Sequence, residues 1–305
     1  MQTILGINGV TGIEIANVLL GKGIKVRGVS RRPFEGAWTH VQADVLNLDS
    51  LKKAVEGSEV VYCCIGLEYT VKVWERDWLI LMENVIQACL SVKAKLVFID
   101  NVYMYGLVKG EMTETTPMIP SSKKGAVRKA VAEKLLDAFQ NRGLVGCIAR
   151  AADFYGPNCE KSLLTEAVFN NFQKGKTAQW FGYADKKHSF TYTKDIGIGA
   201  VILGNDDKAN GKVWHLPTAS NPWTGQQIID FVAKEMGQKS KTMTLRGFLL
   251  SVLGIFIPIL REFKEMMYQY EHDYVFNSDL FEKTFGVTPT PYEVGMKTTA
   301  AFYKK

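Results

Sequence analysis

The sequence has few of the residues that build metal or disulfide frameworks. Five cysteines and four histidines occur among 305 residues, and the cysteines show none of the spacings of metal-ligand motifs. The adjacent pair Cys63-Cys64 lies inside an apolar run that predicts a buried strand. We therefore interpret the cysteines as small buried hydrophobic residues of a reducing, cytoplasmic environment, and we expect no metal site.

Long apolar runs are also missing. The longest, residues 248–260, has 13 residues, whereas a membrane-spanning helix needs about 20. Ser251, Gly254 and Pro258 interrupt it. We expect no membrane span and interpret the run as a core or pocket-lining helix, with a membrane-surface helix as the alternative. We also expect no signal peptide, because the first predicted strand begins near residue 4.

The chain lacks a strong excess of charge of either sign. Lys and Arg number 37 against 31 Asp and Glu, a formal net charge of +6. The basic residues are spread along the chain, so they do not indicate a nucleic-acid partner, although they suit an anionic small molecule. A hydrophobic content of 47% and a charged content of 22% are ordinary for a globular protein.

A glycine-rich turn near the N-terminus is the most informative feature that is present. Three glycines follow the apolar run Ile4-Leu5 at spacings of three and precede a helical pattern. This strand, turn and helix predict a dinucleotide site, in which the backbone approaches a pyrophosphate at a helix N-terminus. The alternative is a packing turn without a ligand. The residues that we expect to contact the dinucleotide are Gly6, Asn8, Gly9, Val10, Thr11 and Gly12.

The end of the second predicted strand indicates which dinucleotide binds. NAD-binding units usually place an acid there, but this chain has Ser30-Arg31-Arg32 and no carboxylate before Glu35. Two guanidinium groups and a hydroxyl suit a 2′-phosphate, through charge-assisted hydrogen bonds of about 1.5–3 kcal/mol each. The sequence therefore favours NADP(H) over NAD(H); the alternative is an exposed basic pair at a strand end.

Strand and helix patterns alternate through residue 150 and then become mixed. The alternation predicts an α/β fold, with a Rossmann-like doubly wound parallel sheet formed mainly by residues 1–150. Residues 151–305 are predicted to form a smaller mixed α/β substrate lobe over the carboxyl edge of the sheet, with some segments returning to the first domain. Later predicted strands are 41–43, 60–65, 95–99, 145–149, 178–181 and 213–216, and predicted helices are 48–55, 77–90, 122–141, 161–174, 225–236 and 244–256.

Several motifs in order along the chain resemble the extended short-chain dehydrogenase/reductase family of NAD(P)-dependent sugar-nucleotide epimerases and dehydratases. They are GINGVTG (6–12), Asp44, Cys64-Ile65-Gly66, Asn84, VYMYG (102–106), RAADFYGP (150–157) and HSFTYTKD (188–195). The resemblance implies that Asp44 and Val45 hold the adenine, and that Cys64, Ile65 and Gly66 pass under the pyrophosphate and ribose. It also implies a small-molecule or nucleotide-sugar substrate and the homodimer common in that family.

The chain departs from this family at the catalytic residues. Asn101 stands where the family has Ser or Thr, and Lys124 and Arg128 stand where it has Tyr and Lys of Tyr-x-x-x-Lys. We predict that Lys124 exchanges a proton with the substrate, its pKa lowered by burial beside Arg128, and that Arg128 binds ribose hydroxyls. The alternative is a basic helix start with solvated charges and no catalytic role.

Other candidates lie near this motif. If the strand stays extended beyond residue 99, Asn101, Tyr103 and Tyr105 share one face, and Tyr103 is a second candidate for the missing hydroxyl. A rim aromatic is the alternative for Tyr103. Asp153, at a family position that is usually an amide, suits a hydroxyl-bearing or cationic ligand.

The remaining substrate-side candidates are aromatic residues and a histidine. His188 lines the pocket or is structural. Tyr69, Trp180 and Trp214 form apolar pocket walls or belong to the core.

Two functions follow from these residues. The first is an NADP(H)-dependent oxidoreductase or epimerase/dehydratase-like enzyme acting on a carbonyl or alcohol. The second is an NADP(H)-sensing binding protein of the same fold without turnover.

Overall fold

The computed structural model describes residues 1–246 and 258–304. Its centre is a parallel sheet of seven strands in the order β11-β7-β5-β4-β1-β2-β3. Three two-stranded parallel sheets, β8 with β10, β9 with β12 and β6 with β13, lie outside it. The predicted fold class, a Rossmann-like doubly wound sheet with a smaller mixed lobe, is confirmed.

The elements have the following bounds. The strands are β1 (Gln2–Leu5), β2 (Val26–Ser30), β3 (Thr39–Gln42), β4 (Val60–Cys63), β5 (Lys95–Asp100), β6 (Glu111–Met112), β7 (Gly146–Arg150), β8 (Asp153–Tyr155), β9 (Ala178–Phe181), β10 (Phe190–Tyr192), β11 (Val213–His215), β12 (Thr242–Leu245) and β13 (Val275–Phe276). The helices are α1 (Val10–Gly21), α2 (Leu48–Val55), α3 (Val71–Val92), α4 (Lys123–Asn141), α5 (Asn170–Gln173), α6 (Thr193–Asn205), α7 (Gly225–Met236), α8 (Pro258–Phe263), α9 (Tyr268–Glu271), α10 (Asp279–Phe285) and α11 (Tyr292–Tyr303). Single 3₁₀ turns lie at Tyr103–Tyr105, Asp207–Ala209 and Lys264–Met266, and a π-helical turn lies at Thr165–Phe169.

The central strands are apolar because helices cover both faces of the sheet. Every residue of β1, β4, β5 and β7 is buried, as parallel sheets require. One face packs against α2, α3 and α4 through residues such as Leu51, Leu81 and Val131. The other packs against α1 and α6 through Ile15 and Ile196.

Side-chain caps start the helices that border the site. The Ser122 hydroxyl accepts the Gly125 N–H at 3.0 Å at the start of α4. The Thr70 hydroxyl accepts the Val73 N–H at 3.4 Å at the start of α3. These caps end the preceding loops at the carboxyl edge of the sheet, so both helices begin beside the candidate site.

The chain after β7 contributes to both parts of the molecule. β11 pairs with β7 at the edge of the main sheet, and α6 packs on α1. The second lobe has its own aromatic core around Phe169, Trp180, Phe190 and Tyr270. The segment 258–276 leaves this core and reaches the starts of α3 and α4.

Some predicted elements differ from the structure. The helix predicted over 77–90 begins earlier, at Val71. The helix predicted over 161–174 is a π-helical turn followed by the short α5. Residues 244–245 of the predicted helix 244–256 end β12, and 247–256 lie outside the described residues. Among the residues that the structure describes, no helix is long and apolar enough to cross a membrane.

Candidate dinucleotide and substrate site

The carboxyl edge of the main sheet brings the candidate residues together. The glycine turn follows β1, Cys64 follows β4, Asn101 follows β5, and Asp153 comes three residues after β7. In the strand order, β1 lies between β4 and β2, where the chain reverses its direction of winding. Open α/β sheets bind ligands in the crevice at such a switch point.

The three glycines of the turn have different surroundings. Gly6 has φ +86°, and a Cβ there would lie 3.0 Å from the Cys64 carbonyl oxygen; a Cβ on Gly12 would lie 2.6 Å from the Gly6 oxygen. These two glycines therefore allow close backbone packing. A Cβ on Gly9 would meet only the Gly6 oxygen, at 3.4 Å.

Gly9 thus borders open space, and it is the N-cap of α1. No side chain caps this helix, and its first turn has no acidic residue. An uncapped N-terminus beside open space fits a pyrophosphate, which free N–H groups and the positive end of the helix dipole would hold. Asn8 is exposed, Val10 is half-buried, and Thr11 is buried.

The two arginines after β2 are exposed, whereas the hydroxyl of the preceding serine, Ser30, is already hydrogen-bonded. The Ser30 hydroxyl donates to the Arg32 carbonyl at 2.7 Å and lies 2.9 Å from His40 Nε2. Ser30 therefore shapes the loop instead of offering a free donor. Arg31 and Arg32 are exposed, and within residues 1–246 and 258–304 no carboxylate forms an ion pair with either guanidinium.

The predicted adenine and ribose contacts line the neighbouring strand ends. Asp44 is exposed, and one of its carboxylate oxygens accepts the Leu46 N–H at 3.0 Å. The Val45 carbonyl accepts a hydrogen bond from the Asn84 amide at 3.0 Å, which ties this loop to α3. Cys64 and Ile65 are half-buried and Gly66 is exposed. Burial raises the pKa of the Cys64 thiol well above its usual value, so it stays neutral.

Lys124 is completely buried and bound to the second lobe. Its ammonium donates to Glu262 Oε2 at 2.7 Å, Glu265 Oε1 at 2.9 Å and the Glu262 carbonyl at 3.0 Å. The expectation of a solvated charge is therefore wrong. The acceptors of the ammonium are two carboxylates and one backbone carbonyl, all within residues 262–265. Three acceptors thus occupy all three N–H groups of this side chain.

The two glutamates also cap helices. Glu262 accepts the Val71 N–H at the start of α3 at 2.9 Å, and Glu265 accepts the Lys123 N–H at the start of α4 at 2.8 Å. Burial acts to raise the pKa of Glu262, but the hydrogen bond from Lys124 and the Val71 N–H lower it below its ordinary value. Both carboxylates thus join the second lobe to the sheet domain at Lys124, which is predicted to replace the family's catalytic Tyr.

Arg128 is buried in the core and paired with Asp100. Its guanidinium donates to Asp100 through Nε at 2.8 Å and through Nη2, and it lies 4.2 Å from the Trp78 ring centre and 4.9 Å from that of Phe98. Only 3% of Arg128 is exposed. This arrangement argues against the predicted ribose contact, because the guanidinium neutralises a buried carboxylate at the end of β5.

A second arginine links Asp100 to a buried histidine. Arg150 Nε lies 3.6 Å from Asp100, and Arg150 Nη1 donates to the Tyr105 hydroxyl at 2.7 Å. That hydroxyl therefore donates to His215 Nε2, at 2.8 Å, and His215 Nδ1 donates to the Asn277 carbonyl at 2.8 Å. Burial lowers the pKa of His215 to about 3.

The segment after β5 does not stay extended. The strand ends at Asp100, and Tyr103–Tyr105 form a 3₁₀ turn, so the prediction that Asn101, Tyr103 and Tyr105 share one face is wrong. The Asn101 side-chain oxygen accepts the Tyr103 N–H at 3.1 Å, which leaves its amide N–H groups for a ligand. The Tyr103 ring stacks on Trp74, with ring centres 6.2 Å apart.

Asp153 and His188 form the centre of an aromatic cluster. Asp153 Oδ2 accepts the Tyr270 hydroxyl at 2.7 Å and lies 3.0 Å from His188 Nε2. The imidazole is stacked between Tyr270, at 4.4 Å, and Tyr274, at 4.5 Å. His188 is 1% exposed, so it holds Asp153 in place and does not itself line an open pocket.

The other aromatic residues considered as pocket walls lie in three different parts of the structure. Tyr69 lies against Lys124, whose Nζ is 4.7 Å from the ring centre. Trp180 is 4% exposed in the core of the second lobe. Trp214 on β11 packs on Phe281 and Phe285 in the core of the sheet domain, so of its two alternatives the structure has core packing. Across the described ranges, no three His, Cys, Asp or Glu side chains converge as metal ligands.

Sequence reasoning missed the partners that come from distant segments. Glu262, Glu265, Tyr270 and Tyr274 meet residues more than 80 positions away. One signal was available: a lysine at a buried position needs a counter-charge. The sequence did not indicate which carboxylates would supply it.

The sheet order and the glycine turn define a Rossmann-like protein of the doubly wound α/β class. The model of the NAD dependent epimerase/dehydratase family matches residues 3–216. The chain belongs to this family.

Known relatives are distant. The chain is 22% identical over 258 residues to 3beta-hydroxysteroid-dehydrogenase/decarboxylase isoform 2 of Arabidopsis thaliana, covering 78% of this chain and 44% of that protein. It is 24% identical over 190 residues to the uncharacterized UDP-glucose epimerase YtcB of Bacillus subtilis (strain 168), covering 59% of this chain and 60% of that protein. The chain thus spans about half the length of these relatives.

Solved structures share the fold. MoeE5 in complex with UDP-glucose and NAD superposes with a TM-score of 0.81 at 17% identity, covering 99% of this chain and 97% of that one. UDP-N-acetylglucosamine 4-epimerase from Bacillus cereus superposes with a TM-score of 0.78 at 14% identity, covering 98% and 95%. These identities show a common fold alone.

Proposed function

We propose that this protein is an NADP(H)-dependent oxidoreductase that reduces a carbonyl group of a small molecule or nucleotide sugar. The observation that supports the cofactor choice is the exposed pair Arg31-Arg32 after β2, which forms no ion pair within residues 1–246 and 258–304, together with the lack of an acid at that strand end. Gly9, bordered by open space at an uncapped helix start, would hold the pyrophosphate. When bound, NADPH supplies a hydride to the carbonyl carbon.

Tyr103 is the proton donor in this proposal. Burial raises the pKa of its hydroxyl well above the usual value, so the phenol is neutral at physiological pH and carries the proton that a reduction requires. The hydroxyl gives this proton to the carbonyl oxygen as the carbon gains the hydride, and water then restores it. The free amide N–H groups of Asn101 would polarise the same oxygen.

Lys124 has a positioning role here. Glu262 and Glu265 hold its ammonium. Because all three N–H groups of Lys124 already have acceptors, none is left to donate a proton to a substrate. The catalytic role predicted for Lys124 thus passes to Tyr103, while Lys124 keeps the second lobe in place.

Two measurements test this function. Calorimetric titration of NADPH, NADP⁺, NADH and NAD⁺ should give tighter binding of the phosphorylated pair, about ten- to a hundredfold. With a carbonyl substrate, Tyr103→Phe should abolish NADPH oxidation while it leaves NADPH affinity within a few-fold. Full turnover in that variant would exclude Tyr103 as the donor.

The NADP(H)-sensing protein is the second candidate. It is favoured by one observation, the ion pairs that occupy Lys124 at the family's catalytic position. This candidate replaces the first if NADP(H) binds tightly but no carbonyl or alcohol compound is turned over.

A further inference from the structure

The substrate side of the site carries three partly open carboxylates. Asp153 has 22% of its side chain exposed, Glu262 has 19% and Glu265 has 21%. Asp153 Oδ2 is occupied by His188 and Tyr270. Within the ranges that the structure describes, Asp153 Oδ1 has no donor, so this oxygen is available to a ligand.

The three carboxylates outnumber the basic groups that contact them. Lys124 is shared by Glu262 and Glu265, and His188 is the basic group that contacts Asp153. Three carboxylates thus face one lysine ammonium and one imidazole. The neighbouring Arg261 is exposed and its charge is screened by solvent. A phosphate group would therefore be repelled here, and a cation would be attracted.

Unpartnered hydroxyls surround the same carboxylates. Tyr274 is 5% exposed, and its hydroxyl, which lies near the Gln269 side chain, makes no hydrogen bond of good geometry with a described residue. The buried hydroxyls of Tyr69 and Tyr268 lie near Tyr103 and Ser122, and they likewise make no hydrogen bond of good geometry with a described residue. His188 stacks on the Tyr274 ring at 4.5 Å while its Nε2 lies 3.0 Å from Asp153 Oδ2, which places Tyr274 beside this carboxylate. After burial itself, Asp153 is among the groups that raise the pKa of all three phenols.

The chemistry of these groups indicates a ligand with N–H and O–H groups. A carboxylate accepts hydrogen bonds, and phenols both donate and accept. The Tyr69 ring already has one ammonium 4.7 Å from its centre, that of Lys124. Aromatic faces and a carboxylate together favour a protonated amine over a neutral hydroxyl.

We propose that the cluster of Asp153, Tyr69, Tyr268 and Tyr274 binds the protonated amine of a hydroxylated small molecule, of the amino-sugar class. This inference rests on the proposed function, because it names the substrate class of the same site. The amine would bind to Asp153 Oδ1, and the phenols would bind the adjacent hydroxyls.

Binding of three sugars to the NADP⁺-loaded protein tests the inference. The probes are D-glucosamine, D-glucose and N-acetyl-D-glucosamine, measured by saturation-transfer NMR and calorimetry. We expect glucosamine to bind at least about tenfold more tightly than either neutral sugar, with an affinity that falls as salt is added. Equal binding of all three sugars, or no binding of glucosamine, would overturn the inference.

Two variants test which residues recognise the amine, and a third variant serves as the control. Asp153→Asn should remove the preference for glucosamine, and Tyr274→Phe, which removes only an unpartnered hydroxyl, should weaken glucosamine binding several-fold. Asp185→Asn changes an exposed acid of the same lobe and should leave the preference intact. A preference that survives in a folded Asp153→Asn protein would refute the assignment.

The cofactor titration separates the two proposals. If NADP(H) binds but the amine preference is missing, only the substrate inference fails. If NADP(H) does not bind, the proposed function fails, and the sugar titrations on the cofactor-free protein still decide whether the cluster recognises an amine.

Discussion

Replacing Lys124 by methionine tests whether this residue fastens the two lobes together. The change removes the ammonium and leaves Glu262 and Glu265 with their backbone donors only. Breaking a buried ion pair on one side costs about 3–5 kcal/mol. Both carboxylates are about one-fifth exposed, so solvent reduces this cost, and we expect roughly 2–3 kcal/mol.

The assay is thermal and urea unfolding of the wild type and the variant. For a chain of this size the loss corresponds to a fall in Tm of roughly 3–5 °C. Lys129→Met is the matched control on the same helix, because Lys129 is 39% exposed and lies 3.8 Å from Glu133. Its removal should cost under about 0.5 kcal/mol. Equal effects of the two variants would refute the fastening role.

The pH dependence provides a second readout of the same contact. The folded pKa of Glu262 lies below its ordinary value of 4.5, so its contribution to stability is present above that pH and is lost as the pH falls through the folded value. The difference between wild type and Lys124→Met should therefore shrink at acid pH. A difference that grows on acidification contradicts the ion-pair explanation.

Three further outcomes are expected. Gly9→Val should fold, since a Cβ there meets only one atom, at 3.4 Å, but it should not bind NADP(H). If the folded variant still binds NADP(H), the glycines serve packing alone. Arg31→Ala combined with Arg32→Ala should abolish the preference for NADP(H) with NAD(H) affinity nearly unchanged, as measured by calorimetry, whereas a retained preference would place the phosphate contact elsewhere. Burial lowers the pKa of His215 from 6.5 to about 3. The free energy of unfolding, measured with urea, should therefore fall as the pH drops from about 7 to about 5, and it should fall less steeply in His215→Gln. Identical pH slopes in the two proteins would remove His215 as the cause.

The local features of the cofactor site could be predicted from sequence alone. The glycine turn, the strand before it and the helix after it are contiguous, and their geometry depends on backbone sterics within about a dozen residues. The same holds for Ser122 as the start of α4, where a hydroxyl three residues before Gly125 signals an N-cap. Alternation of strands and helices fixed the class of fold, because parallel strands need helical crossovers.

The substrate side was decided by the tertiary structure. Lys124 meets Glu262 and Glu265 across 138 and 141 residues, and Tyr270 meets Asp153 across 117. No periodicity links such positions, since their contact depends on how the second lobe packs on the sheet. The sequence determined that a lysine stands at position 124, at the start of α4. Only the packed structure determined that the lysine there neutralises two carboxylates, because a buried ammonium takes the acceptors that the fold brings within hydrogen-bond reach.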